Sequence, residues 1–168
     1  MPAATGTGNH LAAELFKSMA RVNIVRVPYK GLASALNALL AGETELMFAN
    51  IGPGLAQAKA GRVRALATTG AKPSPLASNI PTMAAAGLPG FEAEARGGFF
   101  APAKTPEAIV SLINREIAWA LNQPEARDRL LAMGLEPVAT SPEETAAAIK
   151  AEMTRLGKVI REAGIRDE

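Results

Sequence analysis

The chain has 168 residues, of which 48% are hydrophobic, 20% charged and 4% aromatic, and its formal net charge is +2. That length suits one domain or slightly more, and the apolar fraction excludes a disordered chain. The absence of cysteine excludes disulfides, thiol catalysis and cysteine metal sites, and scattered bases without an aromatic-interleaved stripe argue against nucleic acid.

A helix is predicted from about Asn9 to Met19, with Leu11, Leu15 and Met19 four residues apart and Phe16 beside them. Asn9 is its expected N-cap. Asn23–Val27 reads as a strand ended by Pro28, which cannot donate to a ladder. The next helix covers about Ala33–Ala41, with Leu32, Leu36, Leu39 and Leu40 as its apolar stripe and Gly42 as its stop. Glu45–Phe48 reads as a short buried strand, Gly54–Ala60 as a helix ended by Gly61, and Arg64–Thr69 as another strand. Pro73, Pro75, Pro81 and Pro89 mark a looped stretch with one short helix near Thr82–Ala86.

Glu92–Phe100 is expected to be extended. A strong helix follows, with Thr105 as N-cap, Pro106 at its first position and Glu107 in its first turn. Its apolar face is Ile109, Val110, Leu112, Ile113, Ile117 and Leu121, and Trp119 is expected to cover a helix–helix contact. Glu125–Met133 reads as a helix stopped by Gly134, and Glu136–Ala139 as a strand. Ser141, Pro142, Glu143 and Glu144 then open a final helix to about Ala163, with Gly164 as its stop. Alternation of strand and helix predicts an α/β fold with a mostly parallel sheet. Ligands in such folds lie beyond the carboxyl ends of strands, so the turns that follow strands are the candidate sites.

Two of those turns open helices directly. A helix start presents free backbone N–H groups and a positive dipole end, which suits a carboxylate or phosphate. The first turn is Gly6, Thr7, Gly8 and Asn9; the second is Tyr29, Lys30 and Gly31, followed by Ala33 and Ser34. The plainer readings are a glycine turn with an ordinary cap, a solvated Lys30, and Tyr29 packed between layers. The first turn is not a dinucleotide fingerprint, because Leu11 stands where a third glycine belongs. Asn50, Gly52 and Gly54 either complete a ligand rim or form a turn that needs glycine. His10 is the single histidine. With only Glu14 one turn away it predicts no metal site, and no catalytic constellation or cofactor motif is present. Acids early and bases late in the last helix suit its own dipole.

Several segments in order resemble one family: Gly6–Lys17 (GTGNHLAAELFK), Val27–Gly31 (VPYKG), Ala35–Gly42 (ALNALLAG), Leu46–Phe48, Lys59–Ala67 (KAGRVRALA), Ile80–Met83, Ala86–Phe91 (AGLPGF) and Phe99–Ala103 (FFAPA). Together they resemble the Bug (TctC-like) family, the substrate-binding receptors of tripartite tricarboxylate transporters. The resemblance implies a periplasmic-binding-protein-like (type 2) two-lobed α/β fold, with one lobe largely present and the other incomplete. It implies that residues 1–91 form most of the second, ligand-binding lobe and that 92–168 return to complete the first. It also implies capture of a small carboxylate (a di- or tricarboxylate, an acidic amino acid or an aromatic acid) for delivery to a membrane permease. Ala49 and Asn50 follow Met47-Phe48 where the family usually carries an aspartate, and Ala95–Gly98 occupies the region where it often carries a tryptophan.

The implied ligand-binding residues are Gly6, Thr7, Gly8, Asn9, Lys30, Gly31, Ala33, Ser34 and Asn50, with no catalytic residue, metal or cofactor. The family is periplasmic. The beginning of this sequence has neither the basic region nor the apolar core of a signal peptide, and no segment approaches the roughly 18 apolar residues of a membrane span, so the chain as written is expected in the cytoplasm as the C-terminal part of a receptor. Self-association through apolar helix faces left bare in 92–168 is a further expectation. Two other readings exist: the effector-binding domain of a transcription regulator, and a small α/β enzyme acting on an anionic metabolite. The first lacks a preceding helix-turn-helix, and the second lacks a general base on the anion-binding turns.

Overall fold

Local capping and apolar spacing place the helices where the chain can satisfy their ends. The computed structural model describes residues 7–162; Gly6, and the predicted end of the last helix at Ala163 and Gly164, lie outside the described residues. Helix α1 spans Gly8–Ala20 and is capped by Thr7, whose Oγ1 accepts from the His10 N–H at 3.4 Å. Asn9, the expected cap, lies inside the first turn instead. Thr7 has the extended backbone (φ −69°, ψ 157°) that an N-cap requires. Leu15 is buried, and Phe16 and Met19 pack against the same core.

Helix α2 spans Leu32–Leu40. Gly42 has φ 76°, and the N–H groups of Gly42 and Glu43 return to the carbonyls of Leu39 and Ala38. This is the left-handed stop that glycine alone adopts without strain. Gly61 and Gly134 end α3 and α5 in the same way. The residues of α2 that are fully buried are Ala35 and Ala38, with the leucine stripe only half-buried beside them. The small side chains therefore set the closest approach. Helix α3 spans Ile51–Lys59 and begins three residues before its predicted start. Pro53 falls in its first turn, where a missing N–H costs no intrahelical hydrogen bond.

The predicted strands form no ladder among the described residues. Among the described residues the one bridge is a parallel pairing of Thr68 with Thr82. Thr68 donates to Pro81 O and accepts from Met83 N, both at 2.8 Å, and Thr69 O accepts from Ala93 N at 2.8 Å. Residues 22–29, 46–50, 64–67, 91–100 and 135–140 are otherwise irregular, so the mostly parallel sheet is not formed by the described residues. A strand exists only through a neighbour's backbone, which local periodicity does not supply. The short helix near Thr82–Ala86 is a single turn, closed by Ala86 N to Thr82 O at 2.9 Å, and a 3₁₀ helix forms at Pro75–Ala77.

The chain divides into two compact units, Met1–Ala95 with Leu156–Glu168, and Arg96–Arg155. The first holds the core: Ala12, Leu15, Phe91, Ala93 and Val159, with Phe16, Met19, Phe48, Met83 and Leu88 against it. Phe91 is 1% exposed and is the largest fully buried side chain. Phe16 and Phe48 lie 5.8 Å apart in a tilted ring pair, a geometry that favours aromatic contact.

The second unit contains α4 (Glu107–Leu121), α5 (Pro124–Ala132) and most of α6 (Pro142–Glu162). Helix α4 begins one residue after its predicted start, with Pro106 itself at the cap position. Neither α4 nor α5 has a buried residue. Ile109, Leu112 and Ile113 are exposed, and Trp119, expected to cover a helix contact, is 64% exposed. Periodicity identifies the apolar face of a helix without identifying what covers it.

The start of α6 follows the sequence closely. Ser141 Oγ accepts from the Glu144 N–H at 3.1 Å, and Glu144 Oε2 accepts from the Ser141 N–H at 2.8 Å. This reciprocal box satisfies two donors that the helix start would otherwise leave open. The Glu143 carboxyl is held below its usual range by its own backbone N–H and by the Ser141 hydroxyl. Ser141→Ala is expected to cost about 1 kcal/mol of stability, read as a lowered urea midpoint followed by circular dichroism. An unchanged midpoint would show that the box contributes nothing.

Candidate functional site

Three helix N-termini in the first unit carry the predicted site residues. At α1, Thr7 and Gly8 are exposed and Asn9 is half-buried. Thr7 Oγ1 occupies the His10 N–H, which leaves the N–H groups of Gly8 and Asn9 without an intrahelical partner. Gly8 lies against the chain at Ala95: a Cβ added to it would sit 3.2 Å from the Ala95 Cβ. No larger residue enters that position without displacing the neighbouring segment.

Asn50 caps α3 in position but not through its side chain, which makes no cap hydrogen bond. Its Oδ1 accepts instead from Asn9 Nδ2 at 3.2 Å. Two predicted site residues, 41 positions apart in sequence, are therefore joined directly, and the positive ends of α1 and α3 lie next to each other. The open N–H groups of α3 are those of Ile51 and Gly52, because Pro53 has none.

Helix α2 starts after Gly31, which has an extended backbone (φ 172°, ψ 166°) and no side-chain cap. A Cβ at Gly31 would meet nothing within 4 Å. Neither backbone conformation nor crowding calls for glycine there, and its effect is to leave the front of α2 open. The Ser34 hydroxyl donates to the Gly31 carbonyl at 2.8 Å, so that proton is spent within the turn. Ala33 and Lys30 are exposed. No hydrogen bond or ion pair between described residues joins this turn to the Asn9–Asn50 pair.

His10, the single histidine, is buried at the start of α1. It is 3% exposed, with Nε2 at 3.8 Å from Glu14 Oε1, while Glu14 also pairs with Lys17 at 3.0 Å. Burial foremost, and then the nearby charge of Arg26, pushes its pKa below the ordinary 6.5, with Lys17 adding to the fall and Glu14 opposing it. These influences together favour the neutral ring. Among the described residues no group of three potential metal ligands occurs, and no helix is long and apolar enough to cross a membrane. A shallow apolar hollow lined by Ala13, Phe16, Lys17, Ile24, Leu46 and Phe48 contains none of the predicted site residues.

The profile of the tripartite tricarboxylate transporter family receptor (TctC) matches residues 2–165. A UPF0065 protein encoded in the tcbD-tcbE intergenic region of a Pseudomonas species is 37% identical over 161 residues, covering 95% of this chain and 48% of that protein. A second UPF0065 protein, from Pseudomonas knackmussii, is 35% identical, and the match covers 94% of each chain. The chain spans about half the length of the other curated relatives it matches. Among solved structures, Rpa4515 of R. palustris with adipate superposes with a TM-score of 0.82 at 37% identity, covering 98% of this chain and 56% of that one. MatC from Rhodopseudomonas palustris with bound malate does so with a TM-score of 0.77 at 30% identity, covering 95% and 55%. The fold is that of the periplasmic binding proteins, represented in part, as the resemblance implied. The chain belongs to the TctC family of tripartite tricarboxylate transporter receptors.

Proposed function

We propose that this chain supplies the helix-N-terminal wall of a carboxylate-binding site in a solute receptor, and that it captures its ligand without transforming it. The observation that carries this reading is the Asn9–Asn50 hydrogen bond, which sets the open starts of α1 and α3 side by side. Two positive helix ends suit one carboxylate group, and the solved relatives hold the dicarboxylates adipate and malate. The proposed contacts are Thr7, Gly8, Asn9 and Asn50 at that pair, and Lys30, Gly31, Ala33 and Ser34 at the start of α2, with Gly6 proposed from the sequence alone. Residues 1–91 are proposed as most of the ligand-binding lobe, and 92–168 as the segment that returns to the other. The first compact unit extends beyond that division, because Ala93 and Val159 share a core with Phe91.

In this reading the receptor works in the periplasm and passes its ligand to a transporter permease. Calorimetric titration with adipate, malate and a panel of di- and tricarboxylates is expected to show saturable binding, and neutral diamide analogues are expected to show none. Equal heats from the diamides, or no heat from any acid, would sink the proposal. Self-association is part of the same proposal, since Ile109, Leu112, Ile113, Trp119 and Val138 are exposed and such surfaces seek cover. Light scattering over a dilution series is expected to show mass rising with concentration, and a constant monomer mass would refute it.

A further inference from the structure

We infer that anion capture at the Thr7–Asn9 turn is coupled to protonation of the buried His10 one residue further along α1. This rests on the proposed carboxylate site and adds regulation to it. His10 is the third residue of a helix that begins at Gly8, so its ring lies within one turn of the open Gly8 and Asn9 N–H groups. Around it are Glu14 and Lys17 from its own helix and Arg26 from the segment that follows α1. With His10 neutral, these side chains carry two positive charges and one negative. A proton on His10 would add a third positive charge next to the positive end of α1, in a place where 3% of the residue meets water. The free protein therefore holds the ring neutral through burial, two cations and the helix dipole together.

A bound carboxylate reverses the sign of the local field. It places negative charge at the helix start, within a turn of the ring, and offsets the dipole and the two cations. Protonation of His10 then becomes easier, and by linkage the protonated protein binds the anion more tightly. A unit charge about one helical turn away in a partly desolvated setting changes affinity by roughly tenfold. The direction is fixed by the charges: binding takes up a proton and strengthens as pH falls through the titration of His10. The Glu14 carboxylate, 3.8 Å from Nε2, supplies a counter-charge to the protonated ring. Asn9 and Asn50 are uncharged and transmit no titration of their own.

His10 is the single histidine, so its Cε1–H resonance is read without ambiguity. In the full chain, its NMR titration midpoint is expected to move to higher pH on adding saturating adipate or malate. Calorimetry near pH 6 in two buffers of different ionisation heat is expected to show proton uptake in the wild type, and less of it in His10→Gln, which still binds. Uptake by the ligand's own carboxylates is common to both proteins and cancels. An unmoved midpoint in the presence of a ligand shown to bind would overturn the coupling and leave the carboxylate site intact, as would equal uptake in His10→Gln. Absence of binding at every pH would overturn the proposed function and the coupling with it. The wild-type titration needs no variant, and His10→Asn repeats the uptake comparison if the glutamine does not fold.

Discussion

Phe91→Ala is expected to cost about 3–5 kcal/mol of stability and to unfold the first unit under conditions where the native chain is folded. Phe91 is the largest side chain fully removed from water, at 1% exposure. Its neighbours in the core include Ala12 and Ala93, which have no rotamers with which to fill the hole. Leu15 and Val159 come from α1 and α6, so the vacated volume also separates two helices. Native stability is ordinarily about 5–15 kcal/mol, and a loss of this size is a large share of it. Urea titration followed by far-UV circular dichroism is the appropriate measurement. A loss below about 1.5 kcal/mol, the range of a volume-conserving core swap, would mean that the site collapses around the cavity and that the aromatic ring is not the organising residue.

Gly8→Val is expected to damage binding and folding together. The added Cβ alone would sit 3.2 Å from the Ala95 Cβ, tighter than ordinary contact, and two further methyl groups extend from it. Overpacking of this kind costs about 1–3 kcal/mol. The same side chain would crowd the open N–H groups at the start of α1, where a carboxylate needs close approach to the backbone. Affinity for adipate or malate is expected to fall by at least about tenfold, the equivalent of one lost charge-assisted hydrogen bond. Gly8→Ala is expected to give a smaller loss of both. Titration calorimetry with thermal melting separates the two effects. Full affinity in a folded Gly8→Val protein would remove the α1 turn from the site.

Much of the local structure is legible without a fold. The Ser141–Glu144 box, the left-handed stop at Gly42 and the apolar spacing of Leu15, Phe16 and Met19 each depend on residues within one or two turns of each other. The misplacements are local as well. Thr7 rather than Asn9 caps α1, because both residue types cap well and the choice depends on which one holds the extended backbone. Helix α3 begins at Ile51 rather than Gly54 because glycine and proline are permitted in a first turn as well as in a loop. The strands are a different case. Val25, Leu66 and Val138 occupy predicted strands and are exposed, because alternation describes one chain and a ladder requires two.

The candidate site divides along the same line. The helix starts at Thr7–Asn9 and at Gly31 follow from residues close together in the sequence, and the family and fold class from the order and spacing of segments along the whole chain. Three features needed the tertiary structure: the Asn9–Asn50 hydrogen bond, the contact of Gly8 with Ala95, and the burial of His10 in the field of Arg26. Each joins segments that the sequence separates. Capping and helical periodicity act over a few residues and leave a local trace. Burial, charge–charge coupling and side-chain pairing act through space, and they exist only once folding has brought distant parts of the chain together.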